Sequence, residues 1–255
     1  MTGDLMNGTV ASLTRRSLLG RKRTLVLLLL PAALLALCAL ARILAGLDAD
    51  IDRQLAGPLA PNLLGAFGIA ILMPLLSLIA GTGSIGPEID EGSIVYLLAK
   101  PLNRHSIIVT KLAVAIGVVI AFGALPIAVA GVVLTGEVGA VTAGYTLGAL
   151  AGGIAYCAVF LLLSVLSRNA VVIGLIYALI WESLVGGLVP GAQTLSIQQW
   201  SLAIVKEVLG DSAGRLEVDA AVGFGAGLVL LVVVTVAATV YAGRRLQTLR
   251  LNDEA

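Results

Sequence analysis

The side chains able to do chemistry in this sequence are few and far apart. Glu182, in YALIWESLVGGLVPG, is the one acidic residue well inside an apolar run. A charge at the centre of a bilayer costs about 2.5–3.5 kcal/mol on insertion scales, so such a carboxylate faces protein or water and often marks function. It reads in two ways: as a proton-coupling carboxylate, or as one nearer the outer surface that caps a broken helix before Gly186, Gly187 and Pro190. A proton relay needs partners and no second carboxylate lies in an apolar run, which favours the cap. The single histidine, His105, follows Arg104 and reads as a solvated loop residue. One histidine cannot build a His-rich metal site, so no metal centre is expected. Cys38 and Cys157 each sit inside an apolar run, where a thiol usually packs.

Motifs for catalysis do not fit either. GTGSIG, residues 81–86, has the glycine spacing of a dinucleotide site, yet it closes an apolar run instead of following a strand and opening a helix. It reads as a helix end. The sequence has no G-x-x-x-x-G-K-[ST] and no H-E-x-x-H, and no Ser, His and Asp set is evident in it, so neither ATP hydrolysis nor hydrolase chemistry is expected of this chain by itself. No cofactor of its own is expected.

The densest polar stretch is EIDEGSIVYLLAKPLNRHSIIVTK, residues 88–111. Glu88, Asp90 and Glu91 precede the helix-compatible run GSIVYLLAK, which Pro101 terminates. Acids at the start and Lys100 at the end suit the helix dipole, so a short rigid element carrying both signs of charge is expected. Such a knob suits docking better than catalysis.

The elements around these residues follow from hydropathy. With 59% hydrophobic and 12% charged residues and a mean hydropathy of +1.05, the chain reads as an all-α polytopic membrane protein and not a soluble globule. The net charge of +1 offers no general field, so nucleic acid is not an expected partner. Six apolar runs, 24–46, 63–86, 107–134, 144–166, 170–189 and 220–242, are each about long enough for a bilayer-crossing helix. With both termini in the cytoplasm, the inner side collects twelve of the sixteen Lys and Arg residues, and only Arg42, Arg53, Lys206 and Arg215 fall outside. That is the positive-inside bias, and it turns residues 87–106 towards the cytoplasm.

Basic residues interleaved with Val10, Leu13, Leu18 and Leu19 make the first 23 residues an interfacial helix. Residues 190–219 are amphipathic, and one or two short helices dipping into the outer interface are expected there, with Trp200 at headgroup depth. Gly144, Gly148 and Gly152, and again Gly223 and Gly227, recur every four residues and form seams for close helix packing. Pro74 and Pro126 should kink their helices.

The 88–111 stretch resembles the segment after the second span of type-2 ATP-binding-cassette (ABC) exporter permeases. The pattern runs acid, two residues, Gly-[Ser/Thr], hydrophobics, [Lys/Ala/Ser]-x-Pro-[Leu/Val]-x-Arg, then a lysine entering the next helix, and Glu91, Gly92, Ser93, Lys100, Pro101, Arg104 and Lys111 occupy those positions. WESLVGGLVPGAQTLSIQQW, residues 181–200, is similar to the end of span five in bacterial members. The resemblance covers the whole plan: a single permease domain over residues 1–255, a basic surface helix, six spans and short re-entrant-type helices between spans five and six. It implies a multi-pass subunit of a bacterial cell membrane exporter, a second permease chain of the same or homologous kind, and a separate cytoplasmic ABC ATPase that binds ATP and magnesium. Residues Glu88, Asp90, Glu91, Gly92, Lys100, Pro101, Arg104 and Lys111 would form the coupling region. The rival readings are an ion-coupled secondary transporter using Glu182, and a membrane assembly factor without transport.

Overall fold

The computed structural model describes residues 12–14, 18, 21–90, 104–185 and 190–248, and every regular element among them is helical. Helix α1 (Arg21–Ala45) is built on LVLLLL and ALLALCALA and carries Pro31 within it. Asp48 then caps α2 (Ala49–Gln54), its side chain accepting the Asp50 N–H at 2.8 Å, the usual remedy for an open helix N-terminus. The chain kinks at Gly57 and winds through Ala60–Leu63 and the wide π-turns of Leu64–Leu72 into α3 (Met73–Asp90). After residues 91–103, α4 (Arg104–Val119) passes through a π-wound stretch, Ile120–Ala124, into α5 (Leu125–Thr135). Gly136 closes α5 at φ 78°, a left-handed residue whose N–H bonds the Val132 carbonyl at 2.8 Å.

Helix α6 (Ala140–Leu166) is the longest. Helix α7 (Ala170–Ile176) continues as the π-wound Tyr177–Val185. Beyond Pro190–Gln193, Ser196 caps α8 (Ile197–Leu209), a turn at Ser212–Arg215 follows, and α9 (Phe224–Thr248) ends the described chain.

Pro74 and Pro126 lie in the first turn of α3 and α5, each just after a π-wound stretch. The expected kinks are therefore taken up as wider turns, which absorb the hydrogen bond that a proline cannot donate.

Five helical stretches are long and apolar enough to cross a membrane: Leu27–Ala45, Gly57–Ile89, His105–Thr135, Ala140–Leu166 and Phe224–Leu246. The expected six reduce to five among the described residues, because the 170–189 run supplies only the shorter apolar helix Ala170–Glu182. Its end meets a polar node, described below.

Helix α6 lies at the centre, flanked by α3, α8 and α9. Glycines set the closest approaches. A Cβ on Gly148 would come within 2.8 Å of Val205 Cγ2 and 2.9 Å of the Ser201 carbonyl, and one on Gly144 would reach 3.3 Å from the Val205 carbonyl. The expected seam is thus the bed of α8, which runs antiparallel to the first half of α6. Gly227 of α9 meets Ala203 and Trp200 of the same helix, whereas Gly223 faces open space.

GTGSIG is not a helix end. Helix α3 runs on to Asp90, and Gly81 presses on α6, where a Cβ would lie 2.9 Å from Phe160 Cβ, 3.0 Å from the Cys157 carbonyl and 3.1 Å from the Leu161 nitrogen. Backbone cannot retreat as a rotamer can. We expect Gly81→Ala to destabilise the chain by about 1–3 kcal/mol. Gly117→Ala, at a helical site with nothing within 4 Å, should stabilise it by up to about 1 kcal/mol. Denaturation midpoints of the two variants in one detergent should move in opposite directions; a shared direction would refute the packing assignment.

Candidate functional site

Two polar nodes are built into this apolar fold. The first joins the ends of the helices that flank residues 91–103. Lys111, about one turn into the apolar part of α4, has a side chain that is 0% exposed, while its partner Glu88 is 25% exposed. The Lys111 ammonium donates to Glu88 Oε1 at 2.7 Å, to the Ser84 carbonyl at 2.6 Å and to Thr14 Oγ1 at 3.5 Å. The Ser84 hydroxyl has turned back onto the Gly81 carbonyl at 2.8 Å, which leaves its own carbonyl to the lysine. Lys111 thereby ties α3, α4 and the N-terminal segment into one block. Thr14 and Leu18 are fully buried, so these two residues pack against the helices. Nearby, the His105 ring fills the space over Gly243 of α9. His105 is thus a half-buried helical packing residue, not a solvated loop residue. The side of the molecule holding Thr14, Glu88, His105 and Gly243 is called basal below.

The second node surrounds Glu182, which is 1% exposed. Its Oε1 accepts the Tyr177 hydroxyl at 2.9 Å and the Ile197 N–H at 3.2 Å; its Oε2 accepts the Ser196 hydroxyl, and the Gln198 N–H at 3.4 Å. Two of those donors are first-turn amides of α8, where a negative group is favoured by the exposed N–H groups and the helix dipole. Ser196 Oγ also accepts the Gln199 N–H at 3.3 Å. Glu182 therefore caps a helix, as one reading had it, but caps α8, which starts fifteen residues later, and not its own broken end. Tyr156, stacked on Phe160 at 6.0 Å, lies against this node, and Phe160 meets Tyr177 edge-on at 6.1 Å.

A family model described as ABC-2 family transporter protein matches residues 24–245. The chain belongs to the ABC-2 transporter family. No curated protein matches it. Membership makes it a membrane permease of an ABC transporter, a class that works with an ABC ATPase, and a multi-pass membrane protein.

In this permease the expected coupling residues fall into three groups. Glu91, Gly92, Lys100 and Pro101 lie outside the described residues. Asp90 and Arg104 are helical, closing α3 and opening α4 on either side of that gap. Glu88 and Lys111 meet, but they meet inside the protein. Lys111 is thus not a surface group for a partner to touch, because the end of α3 and Thr14 cover it.

Trp200 departs from expectation too. It is 4% exposed, packed with Tyr156 and Phe160, and its Nε1–H donates to the Thr194 carbonyl at 2.8 Å. Protein, not a headgroup layer, satisfies its polar edge. On the far side of α8, Lys206 Nζ sits 2.7 Å from Asp219 Oδ1 and holds that exposed carboxyl below its ordinary range through the hydrogen bond and the charge. The tie of the 216–223 segment to α8 therefore lasts above ordinary carboxylate titration and is lost only as pH falls through the lowered value.

Sequence reasoning missed Ser196, Tyr177 and Ser84. For Ser196 a signal existed: SIQQ, residues 196–199, has the Ser-x-x-Gln spacing of a capping box. Here the Gln199 side chain serves elsewhere, accepting the Ala221 N–H at 3.0 Å.

Proposed function

We propose that this chain is the membrane-spanning subunit of an ATP-driven exporter in a bacterial cell membrane. A separate cytoplasmic ATPase, which holds ATP and magnesium, docks on the 88–111 region, and a second permease chain completes the transport path. The observation that carries this reading is the buried Lys111–Glu88 tie at 2.7 Å. It braces both helices that lead into residues 91–103, so a push received there passes into two spans at once and is not lost in a hinge. The basal side faces the cytoplasm in this reading, in keeping with the excess of Lys and Arg on that side.

Tagging the chain, extracting it gently from its own membrane and quantifying what co-purifies should yield a stoichiometric subunit with a phosphate loop. In reconstituted vesicles, Glu91→Lys or Arg104→Glu should cut ATP-dependent transport about tenfold or more, since like charges brought together at an interface cost several kcal/mol. Membrane insertion should be normal and ATP hydrolysis retained. Full transport in both charge-reversed forms, or a chain that purifies alone, would overturn the assignment.

A further inference from the structure

A groove of about 540 Å³ runs between α6 and α9 towards their basal ends. Val159, Leu162, Val234 and Ala238 line it, and Tyr241 and Arg244 stand at its basal mouth. Its volume falls within the roughly 300–1,000 Å³ typical of small-molecule sites. Ten residues of helix separate Val234 from Arg244, which is about 15 Å at 1.5 Å per residue. That is half of a hydrocarbon core of about 30 Å, or one leaflet. The groove is therefore apolar over the depth of one leaflet and cationic where that leaflet's phosphates lie.

Arg244 is exposed, and no carboxylate pairs with it among the described residues. Tyr241, 53% exposed, places an amphipathic ring at the same level, as side chains at the membrane interface do. A cation set against apolar surface without a counter-charge is costly, so the occupant of this groove has to bring an anion to the level of Arg244. A phospholipid brings the phosphate at the depth required. We propose that this groove holds one acyl chain of an anionic phospholipid from the basal leaflet, with the phosphate paired to Arg244. The site belongs to this chain alone and does not depend on the ATPase partner.

The test is native mass spectrometry of the purified full chain, with any subunit that accompanies it, titrated with phosphatidylglycerol or with phosphatidylcholine of the same acyl chains. Phosphatidylglycerol should bind the unaltered chain more tightly. Arg244→Gln should weaken that binding about fivefold, the effect of one cation near an anionic surface, with little change for phosphatidylcholine. Ala237→Trp, which fills the groove from an exposed position, should remove both lipids. Equal binding of the two lipids, or undiminished phosphatidylglycerol binding in either variant, would overturn the site. So would efficient disulfide formation between two copies carrying Ala237→Cys, since the groove would then be covered by protein.

Discussion

Lys111→Met is expected to lower the stability of the extracted chain by about 3 kcal/mol. Removing one partner of a buried ion pair costs roughly 3–5 kcal/mol, because the other charge is left without compensation. Glu88 keeps a quarter of its side chain exposed, which places the loss at the lower end. The Ser84 carbonyl, 2.6 Å from the ammonium, also loses its donor. Lys111→Met with Glu88→Leu should recover much of the loss, since replacing both members of a buried pair by apolar groups costs less than removing one. In a double-mutant cycle on the full chain, a coupling energy near zero would show that the two residues act separately. Because Lys111 acts through the ends of α3 and α4, the single variant should also reduce transport per ATP hydrolysed while ATPase binding persists. A variant that loses the ATPase altogether would instead make Lys111 part of the contact.

The second large effect is expected at Glu182. Alanine there strands the hydroxyls of Tyr177 and Ser196 and the amides of Ile197 and Gln198. Hydrogen bonds to a charged group contribute about 1.5–3 kcal/mol each. Some of these donors can find other acceptors after relaxation, so the net loss should be about 3–5 kcal/mol, seen as a lower denaturation midpoint. Glutamine keeps one acceptor oxygen but turns its own N–H groups on the remaining donors, so Glu182→Gln should cost about half as much. This variant also separates the capping role from ion coupling. A capping carboxylate predicts a less stable chain whose transport still answers to nucleotide, whereas an ion-coupled carrier predicts an intact fold and no gradient-driven transport. An unchanged midpoint with transport abolished would favour the carrier.

Features set by near neighbours in the sequence were legible in it. Gly144, Gly148 and Gly152 share one face of α6 by spacing alone, and α8 does pack there. Pro74 and Pro126 announced irregular helices, although hydropathy could not tell a sharp kink from a π-turn. What stayed hidden depends on chain segments distant in sequence. Lys111 read as a charge at the cytoplasmic entry of a span, and only the passage of α3 and Thr14 over it turns it into an interior clamp. The 170–189 run reads as a full span because hydropathy sums local residues, and its described part supplies the apolar helix Ala170–Glu182. Hydropathy cannot see that Glu182 is matched to the start of α8. His105 was misread for the same reason, as its neighbour Gly243 lies more than a hundred residues away.

The share of the apolar window buried within the protein is 61% for α6 but only 22% for the first span and 17% for the last. Among the described residues these two spans bury the least of their apolar surface within the protein. Both turn most of their apolar surface outward from the chain, so the thickness of the surrounding bilayer acts on them directly. Hydrophobic mismatch then reaches this permease first through its two terminal spans, while the core around α6 keeps its shape.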